Sequence, residues 1–309
     1  MSTLPAEVWL LVGPTAVGKT ELSLVLAERL GGEVVSLDSR QIYRGLDIGT
    51  AKPCPDDLRR VPHHLIDIAD PDQTLSLSAI LHAARTAIAA CLERDRLPIL
   101  VGGSGQYVRA VAEGWQVPEV MPDRQYRARL EALAREAGPG ALAAMLAEAD
   151  PEAAAAIDPR NVRRVVRALE VCRATGRPFS ELRRRVAPPF RCRWVGLHRP
   201  REVLYRRIDV RLADMLERGL ESEVRGLVDR GYGFDLPSMS GLGYGEWRDC
   251  FAGLIDRAEV VTRIRRNTRR LVRSQGAWFP ATDERIAWLD PGGAPTGAVA
   301  DRVIERLCG

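Results

Sequence analysis

The stretch Gly13-Pro14-Thr15-Ala16-Val17-Gly18-Lys19-Thr20 decides the fold of this chain. It matches the phosphate-binding pattern G-x-x-x-x-G-K-S/T at every fixed position. The apolar run at 8–12 predicts a buried strand before the loop, and apolar residues at helical spacing over 21–30 predict a helix after it. Strand, glycine loop and helix therefore occur in the order that a phosphate-binding loop requires.

The loop predicts a binding site for a diphosphate or a triphosphate. Its backbone N–H groups and the N-terminus of the following helix attract anions. The ammonium group of Lys19 adds a positive charge, and the hydroxyl of Thr20 is suited to Mg²⁺. We therefore predict that residues 13–20 bind pyrophosphate or a nucleotide, with Thr20 as the metal ligand.

Length and composition are those of an ordinary globular protein. The chain has 309 residues, of which 46% are hydrophobic and 28% charged. No apolar run approaches the ~20 residues that span a bilayer, and residues 1–7 lack the pattern of a signal peptide. Six cysteines without a C-x-x-C pair and four histidines without ligand spacing argue against a structural zinc site. We expect a cytoplasmic protein that does not associate with membranes.

The charge is distributed unevenly along the chain. From Arg160 to Arg193 eleven arginines stand against two glutamates, a local charge of +9 in a chain whose net charge is +4. Such a block predicts a polyanionic partner larger than one nucleotide, and a solvated arginine-rich helix face is the alternative. The chain has only two lysines, Lys19 and Lys52, which indicates that both positions need a compact ammonium group.

Alternating strand and helix patterns in the first third of the chain predict a parallel sheet with helices on both faces. Strands are predicted over 33–37, 65–68 and 97–101, and Asp38 and Gly102-Gly103-Ser104 follow the first and the last of them. Ligands bind beyond the carboxyl ends of parallel strands, so we expect these residues near the phosphate loop. Asp38 is suited to accept a proton from an attacking group or to hold Mg²⁺ through water; a strand-capping aspartate is the alternative.

The middle of the chain is predicted to be helical. From 118 to 189 no convincing strand is found, and strand patterns return at 193–198 and 286–289, with long helices over 201–230 and 258–279. We therefore predict an α/β fold with a P-loop-type parallel sheet, interrupted by a helical insertion domain. The predicted parts are the first part of the core (1–115), the insertion (116–192) and the second part of the core (193–309).

Three ordered blocks of sequence carry a resemblance to one known family. They are the loop 13–20, the block Asp38-Ser39-Arg40-Gln41-Ile42-Tyr43-Arg44-Gly45-Leu46-Asp47-Ile48-Gly49-Thr50-Ala51-Lys52-Pro53 and the block Gly102-Gly103-Ser104-Gly105-Gln106-Tyr107. The chain resembles tRNA dimethylallyltransferases (tRNA isopentenyltransferases), which carry G-P-T-A-x-G-K-S/T, D-S-x-Q-x-Y-x-G-L/M-D-I-G-T-A-K-P and G-G-T/S-x-x-Y in this order. The second block is far more specific than the phosphate loop, and the resemblance extends over about residues 8–290.

The resemblance implies transfer of a dimethylallyl group from dimethylallyl pyrophosphate to N6 of the adenosine directly 3′ of the tRNA anticodon. It implies that Lys19, the loop amides and Mg²⁺ neutralise the charge that develops on the leaving pyrophosphate. Asp38 would accept the proton of the adenine amino group, and Ser104 stands where the family usually has a pyrophosphate-contacting threonine. The resemblance also implies a monomer.

The anticodon stem-loop of tRNA is the implied macromolecular partner, and its target base must be splayed out of the loop to reach the pocket. The basic insertion would contact the backbone of the stem. Two basic residues of the family's K-R-Q-x-T-W-F-R stretch are absent here, since Ser274 and Pro280 stand in their places. The residues expected to contact tRNA are Asp38, Ser39, Arg40, Gln41, Ser104, Arg127, Arg163, Arg164, Val165, Val166 and Arg167.

Three other functions fit part of the sequence. A dimethylallyltransferase acting on free adenine nucleotides would share the loop and Asp38 but does not need the arginine block. A P-loop small-molecule kinase would use the loop for ATP, yet Gly102 stands where an acid for Mg²⁺ is expected after the strand 97–101. A non-catalytic, nucleotide-gated RNA-binding protein is the third alternative.

Overall fold

A computed structural model of the chain describes residues 6–182 and 184–308. Within them, one sheet has six strands: β1 (Ala6–Val12), β2 (Gly32–Ser36), β3 (His63–His64), β4 (Leu97–Gly102), β5 (Phe190–Leu197) and β6 (Ile286–Leu289). Their order in the sheet is β3-β2-β4-β1-β5-β6, and every neighbouring pair is parallel. The predicted α/β fold with a parallel sheet is confirmed.

Helices connect the strands and fill the middle of the chain. In chain order they are α1 (Lys19–Leu30), α2 (Pro55–Arg60), α3 (Leu77–Glu93), α4 (Gly105–Ala112), α5 (Arg124–Glu136), α6 (Pro139–Ala149), α7 (Pro151–Ala156), α8 (Val162–Thr175), α9 (Phe179–Leu182), α10 (Arg201–Glu217), α11 (Leu220–Asp229), α12 (Arg248–Phe251), α13 (Arg257–Trp278) and α14 (Thr296–Cys308). In the part of the chain that the structure describes, no helix is long and apolar enough to cross a membrane.

The apolar run of β1 places this strand at the centre of the sheet. Trp9 and Leu11 belong to a buried cluster that includes Leu26 of α1 and Leu204 of α10. Leu10, which points to the opposite face because side chains alternate along a strand, is also buried. Both faces of β1 are therefore covered, as is usual for a parallel sheet.

The strand order brings three chain segments together at the carboxyl edge of the sheet. β4 lies between β2 and β1, with Val12 of β1 in register with Gly102 of β4 and Ser36 of β2 in register with Val101. The phosphate loop follows β1, Asp38 follows β2, and Gly103 follows β4. The topology therefore places these segments side by side.

The chain divides into two compact units. One contains the described residues up to Ala112 and from Pro188 onward, and the other is Glu113–Ala187. The second unit is helical, with a buried cluster formed by residues such as Leu142 and Leu169. Side chains that accept backbone N–H groups begin its helices, among them Asp123 at α5, Asp150 at α7 and Asn161 at α8. We predicted the insertion over 116–192, whereas this unit ends at Ala187 and β5 already begins at Phe190.

Two predicted elements were wrong in detail. The strand predicted over 65–68 does not form, because Leu65 and Asp67 adopt left-handed conformations with φ of 63° and 54°, and the edge strand is His63–His64 instead. The single helix predicted over 201–230 is two helices, α10 and α11. Gly219 between them has a φ of 94°, a conformation that interrupts an α-helix and that glycine adopts at little cost.

Candidate active site

The phosphate loop joins β1 to α1 at the carboxyl edge of the sheet. Gly13 and Gly18 have φ of 142° and 112°, which only glycine adopts readily. A Cβ at Gly13 would lie 2.5 Å from the carbonyl oxygen of Leu197, so this position also needs glycine for its close approach to β5. Because α1 begins at Lys19, the positive end of its dipole lies at the loop.

Lys19 is folded back across the loop. Its Nζ donates to the carbonyl oxygens of Gly13 at 3.0 Å and Pro14 at 2.8 Å. Desolvation lowers the pKa of Lys19 to about 8, the carboxylate of Asp38 acts in the opposite direction, and the guanidinium of Arg211 lowers it further. The ammonium group of Lys19 is therefore poorly solvated in the loop, and a bound anion would stabilise its charged form.

A cavity of about 280 Å³ lies at this edge of the sheet. It is lined by loop residues, by the segments that follow β2 and β4, and by side chains from two later helices. The lining residues that carry reactive or charged groups include Thr15, Lys19, Thr20, Asp38, Gln41, His63, Arg207, Arg211 and Gln275. The cavity thus brings together a phosphate loop, a carboxylate and additional cations.

Asp38 is half-buried and lines the cavity. Its Oδ1 accepts the backbone N–H of Arg40 at 2.8 Å and that of Gln41 at 3.4 Å, which fixes the carboxylate in a turn of its own chain. Among residues 6–182 and 184–308, no donor contacts the second oxygen, Oδ2. The carboxylate is therefore oriented by one oxygen and retains a free acceptor on the other.

The second sequence block forms a cross-linked loop beside Asp38. Gln41 Oε1 accepts the hydroxyl of Ser36 at 2.9 Å. The side chain of Lys52 is only 4% exposed, and its Nζ contacts the carboxylates of Asp47 and Asp67 at 2.5 Å each and the carbonyl oxygen of Tyr43 at 2.8 Å. A compact ammonium group donates three hydrogen bonds in this buried space, which explains why a lysine stands here.

Glu223 of α11 fixes the same loop from the other side. Its carboxylate accepts the backbone N–H groups of Asp47, Ile48 and Gly49 at 3.1, 2.7 and 3.2 Å. It also accepts the hydroxyl of Tyr244 at 2.6 Å. Burial raises the pKa of Tyr244, and the neighbouring carboxylate raises it further, so this hydroxyl remains a donor. The ion pairs of buried Lys52 and the hydrogen bonds to the Glu223 carboxylate together hold the block in shape.

Three arginines that we did not predict as site residues surround the phosphate loop. Arg199 Nε donates to the carbonyl oxygen of Val17 at 3.1 Å, and Arg207 Nε donates to that of Ala16 at 2.7 Å. Arg211 Nη1 lies 3.5 Å from Thr15 Oγ1. Arg207 and Arg211 are one turn apart on α10, an i, i+4 spacing that is visible in the sequence but common among exposed helices.

Other predicted residues lie beside the cavity with different contacts. Ser104 is half-buried between β4 and α4 and does not line the cavity, whereas Gly103 does. Ser39 is half-buried next to Asp38, and Arg40 Nη1 donates to the carbonyl oxygen of Ser238 at 3.3 Å. The contact of Ser104 with pyrophosphate and the contacts of Ser39 and Arg40 with RNA stay predictions.

The helical unit contains the remaining residues predicted to contact tRNA. Arg127 and Arg167 both bind Glu170, through Nη2 at 2.7 Å and Nη1 at 2.6 Å. Burial opposes the ionisation of Glu170, but the hydrogen bonds from both arginines outweigh it and lower its pKa. Arg163 and Arg164 are exposed, and no acidic side chain in the described residues pairs with them. Of the arginines that we predicted in the helical unit, Arg163 and Arg164 are therefore the two whose charge is available to bind phosphate.

Val165 and Val166 cannot offer their side chains to a partner. They are 1% and 3% exposed and belong to the buried cluster of the helical unit. Their position follows from helical periodicity, because α8 turns these two residues inward and Arg163 and Arg164 outward. Our prediction of contacts by 163–167 treated the segment as one surface, and the structure divides it into two faces.

The oxygen atoms of Thr20 and Asp38 suit a hard divalent cation. Both residues line the cavity, and hydroxyl and carboxylate oxygens are the ligand types that Mg²⁺ prefers. This donor set fits the metal predicted from the sequence.

A different group of possible metal ligands, Glu33, His64 and Cys91, lies elsewhere in the described chain. His64 Nε2 is 2.6 Å from Glu33 Oε2, which also pairs with Arg94 at 2.8 Å, and burial raises the pKa of the Cys91 thiol to about 12. His63, its neighbour on β3, lines the cavity, so alternation points His64 to the opposite face of the sheet. The three side chains therefore bond to one another, and the Glu33 carboxylate is also paired with Arg94.

Comparison with known proteins identifies the family. The profile of the family described as IPP transferase matches residues 41–282. The chain belongs to this family. It is 53% identical over 282 residues to the tRNA dimethylallyltransferase of Chloroflexus aurantiacus, covering 91% of this chain and 95% of that protein. It is 54% identical over 269 residues to that of Roseiflexus sp. (strain RS-1), covering 87% and 88%.

Solved structures show the same fold. The tRNA isopentenylpyrophosphate transferase of Bacillus halodurans is 40% identical, with a TM-score of 0.71 and coverage of 97% of this chain and 96% of that one. A eukaryotic dimethylallyltransferase acting on tRNA is 26% identical, with a TM-score of 0.81 and coverage of 97% and 78%. The resemblance that the three sequence blocks indicate is confirmed over nearly the whole chain.

Proposed function

We propose that this chain transfers the dimethylallyl group of dimethylallyl pyrophosphate to N6 of the adenosine directly 3′ of a tRNA anticodon and releases pyrophosphate. The observation that carries the proposal is one cavity that joins a phosphate loop to Asp38, in a chain of the IPP transferase family. The kinase alternative lacks an acid after β4, because Gly102 ends that strand.

The residues of the cavity have complementary roles in this reaction. N6 of the adenine attacks C1 of the dimethylallyl group, the C1–O bond breaks, and its electron pair leaves with the pyrophosphate. Lys19, Arg207 and Arg211 stabilise the negative charge that develops on the leaving group. Asp38 accepts the proton that N6 loses, through the oxygen that has no partner among the described residues.

Mg²⁺ is the metal that we propose for this site. When bound, it supplies positive charge to the pyrophosphate oxygens. The hydroxyl of Thr20 would be its protein ligand, and Asp38 is suited to contact it through water. Lys19 and the two arginines provide a positive environment for the same oxygens without it.

The helical unit 113–187 is the part for which we propose tRNA binding. Arg163 and Arg164 would contact phosphates of the anticodon stem, which fixes the position of the RNA without reading its sequence. Arg127 and Arg167 would act on tRNA only by holding the unit in shape through Glu170. That the enzyme works as a monomer stays a prediction from the resemblance, and its cytoplasmic location stays a prediction from the sequence composition.

A transfer assay tests the proposal. Purified protein with Mg²⁺ and radiolabelled dimethylallyl pyrophosphate is offered an unmodified anticodon stem-loop with adenosine 3′ of the anticodon, and AMP or ATP in parallel reactions. Label in the RNA alone is the expected result. Label only in the mononucleotide would favour a dimethylallyltransferase that acts on free adenine nucleotides. ATP turnover without prenyl transfer would favour a small-molecule kinase.

A further inference from the structure

The side chain of Gln275 reaches the phosphate loop from the last turn of α13. Its Oε1 accepts the backbone N–H of Thr15 at 2.8 Å, a contact between residues 260 positions apart. Gln275 also lines the cavity that contains Lys19 and Asp38. A helix far along the chain therefore takes part in the phosphate site.

The contact with Thr15 fixes which way the amide of Gln275 points. A backbone N–H can only donate, so the carbonyl oxygen of the side chain must face it and the amino group must face away. The amino group lies against Gly103, where a Cβ would come within 2.4 Å of Nε2. In the described parts of the chain, no protein acceptor makes a hydrogen bond with this amino group.

The surroundings of the amino group indicate an anionic acceptor. Lys19, Arg207 and Arg211 line the same cavity and attract anions, and each of them already donates to the protein at the loop. The amide of Gln275 adds neutral donors whose direction is set before a ligand arrives. Donors held in place in this way lose little freedom when they bind.

From this geometry we propose that Gln275 binds the pyrophosphate group of the prenyl donor. Its amino group donates to a pyrophosphate oxygen while its carbonyl oxygen holds the N–H of Thr15, and Gly103 provides the space for this arrangement. The inference rests on the proposed function, because it assigns a residue to the leaving group of that reaction. It adds a contact from α13 to those of the phosphate loop and α10.

The variant Gln275→Glu separates this role from a purely structural one. Glutamate has the same shape and keeps an acceptor for the N–H of Thr15, but it places a negatively charged oxygen where the amino group was. We expect the dissociation constant of inorganic pyrophosphate and the KM for dimethylallyl pyrophosphate to rise about 10- to 100-fold, since a hydrogen bond to a charged group is lost. The KM for the RNA should change less than about twofold.

Two further variants complete the test. Ser274→Ala is the matched control and should leave all constants unchanged, because within residues 6–182 and 184–308 the hydroxyl of this exposed neighbour bonds only to the Leu271 carbonyl oxygen of its own helix. Gly103→Ala should weaken pyrophosphate binding in the same direction as Gln275→Glu, because its Cβ displaces the amide. Circular dichroism and the melting temperature confirm that each variant is folded.

The possible outcomes are distinct. Pyrophosphate binding by Gln275→Glu that equals the wild type would overturn the inference, and so would a rise in KM for the RNA alone. Direct binding of pyrophosphate is measured without RNA, so it reports on Gln275 even if the wild type fails to prenylate the stem-loop. That failure would remove the proposed function, whereas weakened binding in the variant would still support a pyrophosphate contact.

Discussion

Replacing Glu223 by glutamine should destabilise the loop that carries the second sequence block. Glu223 Oε2 accepts the N–H groups of Asp47 and Ile48, and Oε1 accepts the N–H of Gly49 and the hydroxyl of Tyr244. A glutamine keeps one acceptor oxygen, and its amino group would face two donors. The tyrosine hydroxyl can turn to accept from that amino group, but at least one backbone N–H is left without a partner, and the other three bonds lose their charged acceptor.

Losing one hydrogen bond to a charged group costs about 1.5 to 3 kcal/mol, and loss of the charge weakens each of the other three bonds by about 1 kcal/mol, so we expect Glu223→Gln to lower the free energy of unfolding by about 4.5 to 6 kcal/mol. Tyr244→Phe removes a single one of these hydrogen bonds and should cost about 1.5 to 3 kcal/mol. Glu221→Gln on the same helix is the matched control, because its ion pairs with Arg225 and Arg257 are partly exposed and contribute about 0 to 1 kcal/mol.

Urea unfolding of these three variants measures their order of stability. The expected order of destabilisation is Glu223→Gln, then Tyr244→Phe, then Glu221→Gln. Equal unfolding midpoints for Glu223→Gln and Glu221→Gln would refute the assignment of Glu223 as the residue that holds the loop.

Two further predictions concern ligand binding. With Lys19→Arg as the reference for the ligand's own titration, pyrophosphate affinity should begin to fall near pH 8 and approach a tenfold loss per pH unit above it, because burial lowers the pKa of ligand-free Lys19 to about 8 and only its charged form attracts the anion. Calorimetry at several pH values measures this affinity. It should fall more steeply with rising pH in the wild type than in Lys19→Arg, and identical pH profiles of the two proteins would contradict the prediction. Replacing Arg163 and Arg164 together by alanine should raise the KM for tRNA about tenfold. The slope of log affinity against log salt concentration should become smaller by about two, because two phosphate contacts are lost. Arg160→Ala is the control, because Arg160 already pairs with Asp158 at 2.8 Å, and equal effects in both proteins would count against the role of α8.

Local patterns were sufficient to predict the sheet and the position of its carboxyl edge. The phosphate loop with the strand and helix around it is a contiguous motif, and the alternation of strands and helices indicates a parallel sheet directly. These features also place Asp38 near the loop. The prediction succeeded where the deciding interactions lie close together in sequence.

The contacts that were not predicted depend on residues far apart in the chain. Gln275 meets Thr15 across 260 positions, and Arg127 meets Glu170 across 43. A count of charges in the arginine block cannot show that Arg127 and Arg167 are paired, because that depends on how α5 packs against α8. The strand predicted over 65–68 failed for a similar reason, since Asp67 is held by the buried Lys52.

In the proposed reaction, Asp38 removes the proton from the attacking N6 of adenine. The most direct measurement is single-turnover transfer of a labelled dimethylallyl group to the anticodon stem-loop by wild type and Asp38→Asn, with both substrates saturating. Asparagine keeps an acceptor for the N–H of Arg40, so pyrophosphate binding should be retained while the rate falls by about 10²- to 10⁴-fold. Transfer by Asp38→Asn at the wild-type rate would contradict the account.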